Sequence, residues 1–527
     1  MSERNDSRKL TPLIGSTSLP LQRWLPRELW VLLAIFCLFY FFRLGEFSLS
    51  IDDELEALRD FARVWILTGR WAGFVIDQYL LPQSTIPFLP IFLFGFFMCL
   101  AYRVLLRALG IMRLEAVHYF AFPFFAALPT WTFLAAFAAN IASAGFGYFL
   151  VACTVLQFRH CLERLSDRGL PRVLGSRFAL LGGIALAVAV GIYQSFVFGF
   201  LALGLALLLR FTLLGPFSWA LLFRQLLLLL GILVFAGIVY VAADNALRTI
   251  YQLHDRSYLA NFMDWRALLQ SPIEVTGKVV VNMAAVYGGH PALYGMTAFA
   301  FPLLMLCGLY AILATPTHST SQRVAVIVLT GALLAVPFTQ HFLAGGNMPA
   351  RTLVAVPVVF WMFALTGLTA QRYWLGAATF CAAALAMFQM LYSATLLQAA
   401  NHFARVHDQQ FAAALHTRIV AAQPEFDKTH RFVVDFYGAK RFETSYPRPF
   451  SSTAGFSFFE WGDGTDSRIL SYMRLIGYDD MLPASAEQRH RDAEQFAQMP
   501  AWPAQGAVRV VDGVTLIKLD ASSSLPR

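Results

Sequence analysis

The chain has 527 residues, of which 58% are hydrophobic and only 14% are charged, and its mean hydropathy is +0.58. Soluble proteins carry about a quarter charged residues, so this composition excludes an ordinary soluble protein and predicts a polytopic α-helical membrane protein. The net charge of +8 comes from arginines and lysines in short loops between apolar runs. We therefore interpret the charge as a signal of membrane orientation and expect no nucleic-acid partner.

About eleven membrane-spanning helices are predicted from apolar runs that match a hydrocarbon core of about 30 Å. Residues 1–28 contain several arginines and are followed by no cleavage site, so we expect a cytoplasmic tail and an uncleaved first span. One apolar stretch is too long for a single helix, and we divide it at Tyr193-Gln194-Ser195, where polar side chains interrupt it. The predicted spans are 29–43, 86–106, 116–137, 141–158, 178–193, 195–213, 223–243, 293–313, 324–344, 351–370 and 374–395.

Basic residues concentrate in the loops that lie inside if the N-terminus is cytoplasmic, as the positive-inside rule requires. The odd number of predicted spans then places the C-terminal region outside. The transmembrane domain is predicted over residues 29–395, with outer loops at 44–85 and 244–292 that include helices lying in the membrane interface.

The chain becomes more polar after residue 396. We expect a small periplasmic α/β domain over residues 396–527. It should contain a helix over 402–422, a strand over 430–437 and a hairpin that turns at Asp512-Gly513.

Four carboxylates follow the first span within the stretch Ser50-Ile51-Asp52-Asp53-Glu54-Leu55-Glu56. Ionisable residues at a membrane edge are functional candidates, and either Asp53 or Asp52 could accept a proton. A helix cap is the competing role for Asp53, because acidic residues favour the first turn of a helix. Glu54 and Glu56 are expected on the solvated face of an amphipathic helix that continues to Gly69.

The order of several short motifs resembles that of the Gtr-type (glucosyltransferase II) family, which has the GT-C architecture. The residues that carry the resemblance are Asp52-Asp53, Trp65, Gly69-Arg70, Gly191-Ile-Tyr-Gln-Ser195 and, more loosely, Ser457-Phe-Phe-Glu-Trp461. The resemblance covers most of residues 30–395. It implies an inverting transfer of a hexose, expected to be glucose, from a polyprenyl phosphate to a hydroxyl of a periplasmic glycan such as O-antigen, in the bacterial inner membrane.

Such a transfer needs a carboxylate that takes the acceptor proton and cations that stabilise the departing phosphate. Asp53 or Asp52 is the expected base. Arg351, which we expect at the start of the tenth span, and Arg70 are the expected phosphate ligands. Further candidates for substrate binding are Tyr193, Gln194, Lys278, His290 and His341.

Structural roles compete with several of these assignments. Arg351 could extend along the membrane interface, Arg70 could pair with a carboxylate of its loop, and Gln194 could hydrogen-bond between helices. Isolated histidines at membrane edges are often structural. The aromatic-rich loop 449–467 suits carbohydrate stacking, with packing of a small core as the alternative reading.

No metal or other cofactor is predicted, since no cluster of His, Asp, Glu or Cys has the spacing of metal ligands. The expected partners are the polyprenyl-phosphate sugar, the glycan acceptor, membrane lipid, and the synthase or flippase that supplies the donor. Two alternatives are an O-antigen polymerase, which favours arginine-rich outer loops, and a lipid-linked sugar flippase, which favours internal repeats and polar residues at mid-membrane depth. The acidic loop and the outer domain fit both less well.

Overall fold

The protein is mostly helical in the computed structural model. The structure describes residues 27–46, 49–58, 63–81, 88–254, 263–423, 431–447, 453, 455–463 and 466–520. Within these ranges, six helices are long and apolar enough to cross a membrane, and four further apolar helices have 10–17 residues. Several apolar helices of this kind are what a membrane-embedded protein requires.

The helices follow one another with short connections in most places. The first thirteen are α1 (Arg27–Phe39), α2 (Phe41–Gly45), α3 (Asp53–Leu58), α4 (Val64–Leu67), α5 (Trp71–Tyr79), α6 (Leu89–Ala108), α7 (Ala116–Ala126), α8 (Pro129–Ala135), α9 (Ala138–Arg168), α10 (Leu170–Leu174), α11 (Arg177–Ile192), α12 (Phe196–Leu214) and α13 (Trp219–Ile250). The next eight are α14 (Trp265–Gln270), α15 (Pro272–Tyr287), α16 (Pro291–Tyr294), α17 (Ala300–Ala314), α18 (Thr320–Ala335), α19 (Thr339–Leu343), α20 (Val356–Leu368) and α21 (Tyr373–Ala422).

Two features of the helical bundle position the site described below. The predicted division at residues 193–195 is confirmed, since α11 ends at Ile192 and α12 begins at Phe196. Helices α6 and α9 approach so closely at Gly145 that an added Cβ would lie 2.8 Å from the Cα of Phe94. Small residues allow such close packing between apolar helices, and here the packing holds the N-terminal half of α9 in place.

Some predicted elements are interrupted in the structure. The span predicted over 116–137 is two helices, α7 and α8, because the chain is extended at Leu128 before Pro129 starts α8. The amphipathic helix predicted from residue 55 to Gly69 is not continuous either. The structure has α3 and α4 there, and Gly69 has a φ of 74°, a conformation that ends α4 in a tight turn. Residues 59–62 lie outside the described residues.

Helix α21 has 50 residues, and a rise of 1.5 Å per residue makes it about 75 Å long. The helix predicted over 402–422 is confirmed, since α21 ends at Ala422. It is continuous with the last predicted span, because α21 passes without interruption through residue 396. The apolar pattern of a membrane span and that of a soluble helix follow each other here without a helix-breaking residue. Near its C-terminal end, Phe411, Leu415 and Ile419 are buried in a second hydrophobic core.

A four-stranded mixed sheet and two helices complete this second core. The elements are β1 (Phe432–Tyr437), α22 (Asp466–Leu475), β2 (Met481–Pro483), α23 (Ala486–Gln498), β3 (Val508–Val511) and β4 (Val514–Lys518). The strand order is β2-β1-β4-β3, with β1 parallel to both neighbours and β3 antiparallel to β4. The predicted hairpin is confirmed: Asp512 and Gly513 have φ values of 47° and 79°, as a two-residue type I′ turn requires.

Candidate functional site

The acidic stretch forms a tight turn between two buried residues. Ile51 is 1% exposed and packs in the second hydrophobic core, and Asp53 is fully buried. Asp52, between them, has a φ of 82°, and its side chain is 46% exposed. Aspartate tolerates this left-handed conformation better than most residues, although it is still uncommon. The turn therefore presents the carboxylate of Asp52 to solvent while both neighbours stay fixed.

Asp53 anchors this turn to the first residues of α9. Its Oδ2 accepts the backbone N–H of Ser50 at 2.9 Å, and its Oδ1 accepts that of Ala139 at 3.0 Å. The guanidinium of Arg43 lies 3.9 Å from Oδ2. Burial raises the pKa of Asp53 to about 6, although Arg43 and the backbone N–H groups oppose the rise. The oxygens of this carboxylate are thus engaged in holding the turn against a helix N-terminus.

The buried anchor predicts a pH dependence of stability. The pKa of Asp53 rises from 3.8 to about 6 on folding, so the folded state binds the proton more tightly. This contribution to stability is fully present below about pH 4 and is lost as the pH rises through about 6, at about 1.4 kcal/mol per pKa unit. In thermal-shift measurements between pH 4.5 and 7.5, we expect a shallower decline of the unfolding temperature in Asp53→Asn than in the wild type.

Other carboxyls titrate in the same range, so the difference between two proteins is the informative quantity. Glu494→Gln, at an exposed position of α23, is the matched control and should follow the wild-type curve. An Asp53→Asn curve parallel to that of the wild type would contradict the role assigned to the buried carboxyl. Besides this difference in slope, we expect a lower unfolding temperature for Asp53→Asn at the acidic end of the range, because an amide cannot accept hydrogen bonds at both of its ends.

Arg468 of α22 bridges Asp52 and Glu54. Its Nη2 lies 2.6 Å from Oδ1 of Asp52, and its Nη1 lies 2.6 Å from Oε1 of Glu54. The prediction that Glu54 and Glu56 are solvated is wrong: the side chain of Glu54 is fully buried and Glu56 is 6% exposed. Helix α22 packs on α3 and buries these side chains. A local sequence pattern cannot show burial by a segment more than 400 positions away.

Two arginines and three aromatic rings form a connected row near the same turn. The guanidinium carbon of Arg351 lies 5.0 Å from the ring centre of Phe137, which directly precedes α9. The hydroxyl of Tyr193 donates to the carbonyl oxygen of Arg351 at 3.3 Å. Arg70 lies 5.0 Å from the ring of Tyr193 and 5.4 Å from that of Trp65. The structure thus brings three sequence-predicted candidates together beside the residue that precedes α9.

Arg70 and Arg351 differ in their hydrogen bonding and in the backbone that carries them. Nε of Arg70 is buried and has no hydrogen-bond partner within the described part of the chain. Arg351 lies in a 3₁₀ turn (Ala350–Thr352) and not at a helix start, since α20 begins at Val356 with Pro357 in its first turn. The expectation that a helix N-terminus supports Arg351 is therefore wrong. A cation–π contact with the ring of Phe137, and not a helix N-terminus, holds the guanidinium of Arg351.

Gln194 has a structural partner. Its side-chain amide donates to the carbonyl oxygen of Thr68 at 2.8 Å, and the hydroxyl of Tyr240 donates to that of Gly69 at 2.9 Å. These two bonds satisfy the carbonyl groups directly before Arg70, where the left-handed Gly69 ends α4. Gln194 consequently holds the loop that carries Arg70, which agrees with its competing role as hydrogen-bonding glue between helices.

A cavity of about 790 Å³ adjoins the row on the side of Arg351. Its described lining residues include no carboxylate; they include three of the predicted candidates and two rings that follow α21 in sequence. These residues are Arg351, His290, His341, Phe456 and Trp461. The volume is in the range of sites for small molecules, which are about 300–1,000 Å³.

The polar groups of the cavity are partly engaged. Nδ1 of His290 accepts the backbone N–H of Ala292 at 3.2 Å, while Asn282 donates to the carbonyl oxygen of Gly346 at 2.9 Å. Nε2 of His341 is buried, and no partner for it exists among the described residues. Lys278 does not line the cavity, and its ammonium pairs with Glu274 at 2.8 Å. Both histidines thus have Nδ1 engaged, and His341 differs in that its Nε2 is buried.

Helix α21 holds the aromatic segment that covers one side of the cavity. The carboxylate of Asp408 accepts the hydroxyl of Ser457 and the backbone N–H of Phe458, the latter at 3.1 Å. The guanidinium of Arg405 stacks on Phe458 at 3.9 Å from the ring centre. Two buried charged residues of one long helix therefore position the segment that ends at Trp461.

The described residues contain no group of three or more His, Cys, Asp or Glu side chains that could hold a metal ion. Sequence reasoning missed two residues of the site, Arg468 and Phe137. No local signal could have selected Arg468, because its partners lie more than 400 positions earlier. Phe137 could have been noticed as the last aromatic residue before α9.

Comparison with known proteins adds a single assignment. No curated protein and no solved structure matches the chain. A family model described as glucosyl transferase GtrII matches residues 39–368, which is more than half of the chain. The match includes the acidic turn, Arg70, Tyr193 and Arg351, and it ends before α21 and the sheet. The chain belongs to the glucosyl transferase GtrII family.

Proposed function

We propose that this glucosyltransferase is an inverting enzyme of the inner membrane. It moves glucose from a polyprenyl phosphate to a hydroxyl of a periplasmic glycan such as O-antigen. Family membership supports the sugar-transfer chemistry, and the turn at Asp52 is the observation that carries the mechanism. The turn offers one half-exposed carboxylate, and Arg351 lies in the lining of the cavity; a base and a cation are the two groups that a single displacement on a sugar phosphate requires.

Asp52 is the base in this proposal, and Asp53 is its anchor. A base must reach the proton that it abstracts, at about 2.6–3.2 Å, and Asp53 is fully buried and engaged by backbone N–H groups. In the reaction the acceptor oxygen attacks C1 of the sugar and Asp52 takes the hydroxyl proton. The bond between C1 and the phosphate oxygen breaks, and its electron pair leaves with the phosphate. Inversion at C1 follows from this single displacement.

Arg351 and Arg70 bind the donor phosphate in this proposal. The phosphate gains negative charge as the C1–O bond breaks, and cations placed there stabilise the transition state more than the ground state. Both guanidinium groups contact aromatic faces, which leaves their edges for an anion. The buried Nε of Arg70 has no partner in the described residues, and a phosphate oxygen would satisfy it.

The cavity receives the acceptor glycan, with Trp461 and His341 as its contacts. Indole rings stack on the apolar faces of sugars, and a few placed polar groups give orientation in such sites. Tyr193 supports Arg351 through its hydroxyl, and Gln194 supports the loop of Arg70. His290 caps a short helix, and Lys278 pairs with Glu274 and does not line the cavity.

The membrane arrangement belongs to the same proposal. The basic inner loops favour a cytoplasmic N-terminus, and about eleven spans over residues 29–395 then place the acidic turn and residues 396–527 in the periplasm. Donor lipid would reach Arg351 from the outer leaflet of the inner membrane. A donor synthase or flippase is the expected partner, because the glucosylated lipid must first be made and moved across the membrane.

The donor class can be tested with the purified full-length protein in detergent. We expect transfer of glucose to a lipopolysaccharide acceptor from polyprenyl-phosphate glucose and not from a nucleotide sugar, with inverted configuration at C1 by NMR of the product. A mixture without acceptor is the control for hydrolysis. Efficient transfer from the nucleotide sugar, or retention at C1, would contradict the proposal.

A further inference from the structure

We propose that Arg468 is a positioning residue for sugar transfer: it aims the carboxylate of Asp52 at the acceptor hydroxyl. The part of the chain beyond the family match thereby completes the active site. The inference rests on the proposed role of Asp52. It concerns a residue 100 positions beyond residue 368, where the family match ends.

The first support is the geometry of the guanidinium fork. Nη1 and Nη2 lie 2.6 Å from oxygens of two different carboxylates, on Glu54 and Asp52. Arginine is planar and rigid at its tip, so fixing one nitrogen constrains the direction of the other. Glu54 is the fixed end because its side chain is fully buried, whereas Asp52 is the exposed end. Arg468, held by buried Glu54, therefore fixes the position of the carboxylate of Asp52.

The second support is the cost of this arrangement. Burying a carboxylate and a guanidinium costs free energy that their attraction repays only in part, and apolar replacements are often as stable. The pair is thus poorly explained by stability alone. Asp52 adopts a φ of 82°, and uncommon backbone conformations of this kind persist where the surroundings hold them. Together these features indicate a geometry that the fold maintains for chemistry.

The third support is the rigid mounting of Arg468 itself. Ile469, Tyr472 and Met473 of α22 are buried in the same core as Ile51. Tyr472 stacks on Phe458 with 4.3 Å between ring centres, and Phe458 is held by helix α21 through Asp408. Packed and hydrogen-bonded groups therefore connect α21 to Arg468. They hold the guanidinium of Arg468 in a fixed position relative to the acidic turn.

Kinetics of single variants test the inference. We expect Arg468→Ala to lower kcat on the order of tenfold to a hundredfold, because misplacement by about 1 Å has an effect of this size, with the KM for the donor unchanged. Arg468→Lys keeps the charge but cannot bridge two carboxylates in a fixed plane, so its kcat should stay at least tenfold below wild type. Full recovery by lysine would overturn the inference.

Arg491→Ala, at an exposed position of α23, is the matched control and should retain wild-type turnover. Unfolding temperature is measured for each variant, and Arg468→Lys carries the test if Arg468→Ala does not fold. A fall in the amount of folded enzyme with normal kcat per folded molecule would show a merely structural role and would also overturn the inference.

The double variant Asp52→Asn/Arg468→Ala separates this inference from the proposed function. If Arg468 acts through Asp52, its removal should have no further effect once Asp52 is gone, because residues that act as a unit are non-additive. A further tenfold loss in the double variant would overturn the inference. Full activity of Asp52→Asn alone would instead refute the base assignment. Loss in Asp52→Asn combined with normal kcat in both Arg468 variants would refute only the positioning role.

Discussion

Asp52→Asn is expected to lower kcat for sugar transfer by about two to four powers of ten, the usual contribution of a general base. The amide keeps the size of the side chain and accepts the left-handed backbone, so the fold should be preserved. The KM for the donor should change little, because Asp52 takes a proton from the acceptor and does not bind phosphate. The measurement is steady-state transfer with purified enzyme and polyprenyl-phosphate glucose.

Asp512→Asn is a matched control, since Asp512 also has a positive φ and lies in the hairpin turn away from the site. It should retain wild-type turnover. Loss of a capping interaction alone would lower stability by roughly 1 kcal/mol and leave turnover nearly intact. Normal kcat in Asp52→Asn would therefore refute the base assignment, and a loss confined to Asp53→Asn would move the role to Asp53.

Arg351→Ala is expected to lower kcat/KM for the donor about tenfold to a hundredfold, with a raised KM and a lowered kcat, because Arg351 binds the donor phosphate and the charge that develops on it. A hydrogen bond to a charged group contributes about 1.5–3 kcal/mol, and about 1.4 kcal/mol corresponds to a factor of ten in affinity. Arg351 also contacts the ring of Phe137, which is buried, and such a contact contributes about 0.5 to 2 kcal/mol to stability, more as it is desolvated. The unfolding temperature of the variant is therefore measured beside its KM.

Donor affinity can be measured directly by titrating the purified variant with polyprenyl phosphate. Arg323→Ala removes an exposed arginine at the start of α18 and should bind the lipid as the wild type does. An unchanged affinity in Arg351→Ala would remove Arg351 from the phosphate site. The same result for Arg70→Ala would leave the row of aromatic rings without a role in donor binding.

The sequence predicts the helical class and several boundaries because local patterns determine them. The polar interruption at residues 193–195 and the Asp512-Gly513 turn are both found where they were expected. Predicted spans fail where backbone chemistry intervenes, as before Pro129 and at Val356. Both helical stretches of α21 were predicted, but not their continuity, since a change in composition at residue 396 is not a helix-breaking signal.

The sequence selects candidate residues but not their arrangement. The order of motifs selects Asp52, Asp53 and Arg70, the position before the tenth span selects Arg351, and the two arginines share the row of aromatic contacts. Buried Glu54 pairs with Arg468. These two residues are so far apart in sequence that the periodicity of apolar residues cannot reveal their contact. The different exposure of Asp52 and Asp53 depends on the backbone torsion of Asp52 and on the N–H group of Ala139 at the start of α9, which only the folded chain shows.

The uninterrupted helix α21 fixes how the C-terminal sheet and its helices are rotated relative to the helical bundle. Each residue of an α-helix turns the chain by about 100° and advances it by 1.5 Å. A single-residue insertion between the bundle and Asn401 would therefore swing Asp408, and with it the aromatic segment and α22, to another side of the bundle. An insertion of seven residues would nearly restore the angle but raise the same groups by about 10 Å. The length of α21 thus sets both the distance from the bundle and the rotational orientation at which the aromatic segment and α22 meet the acidic turn.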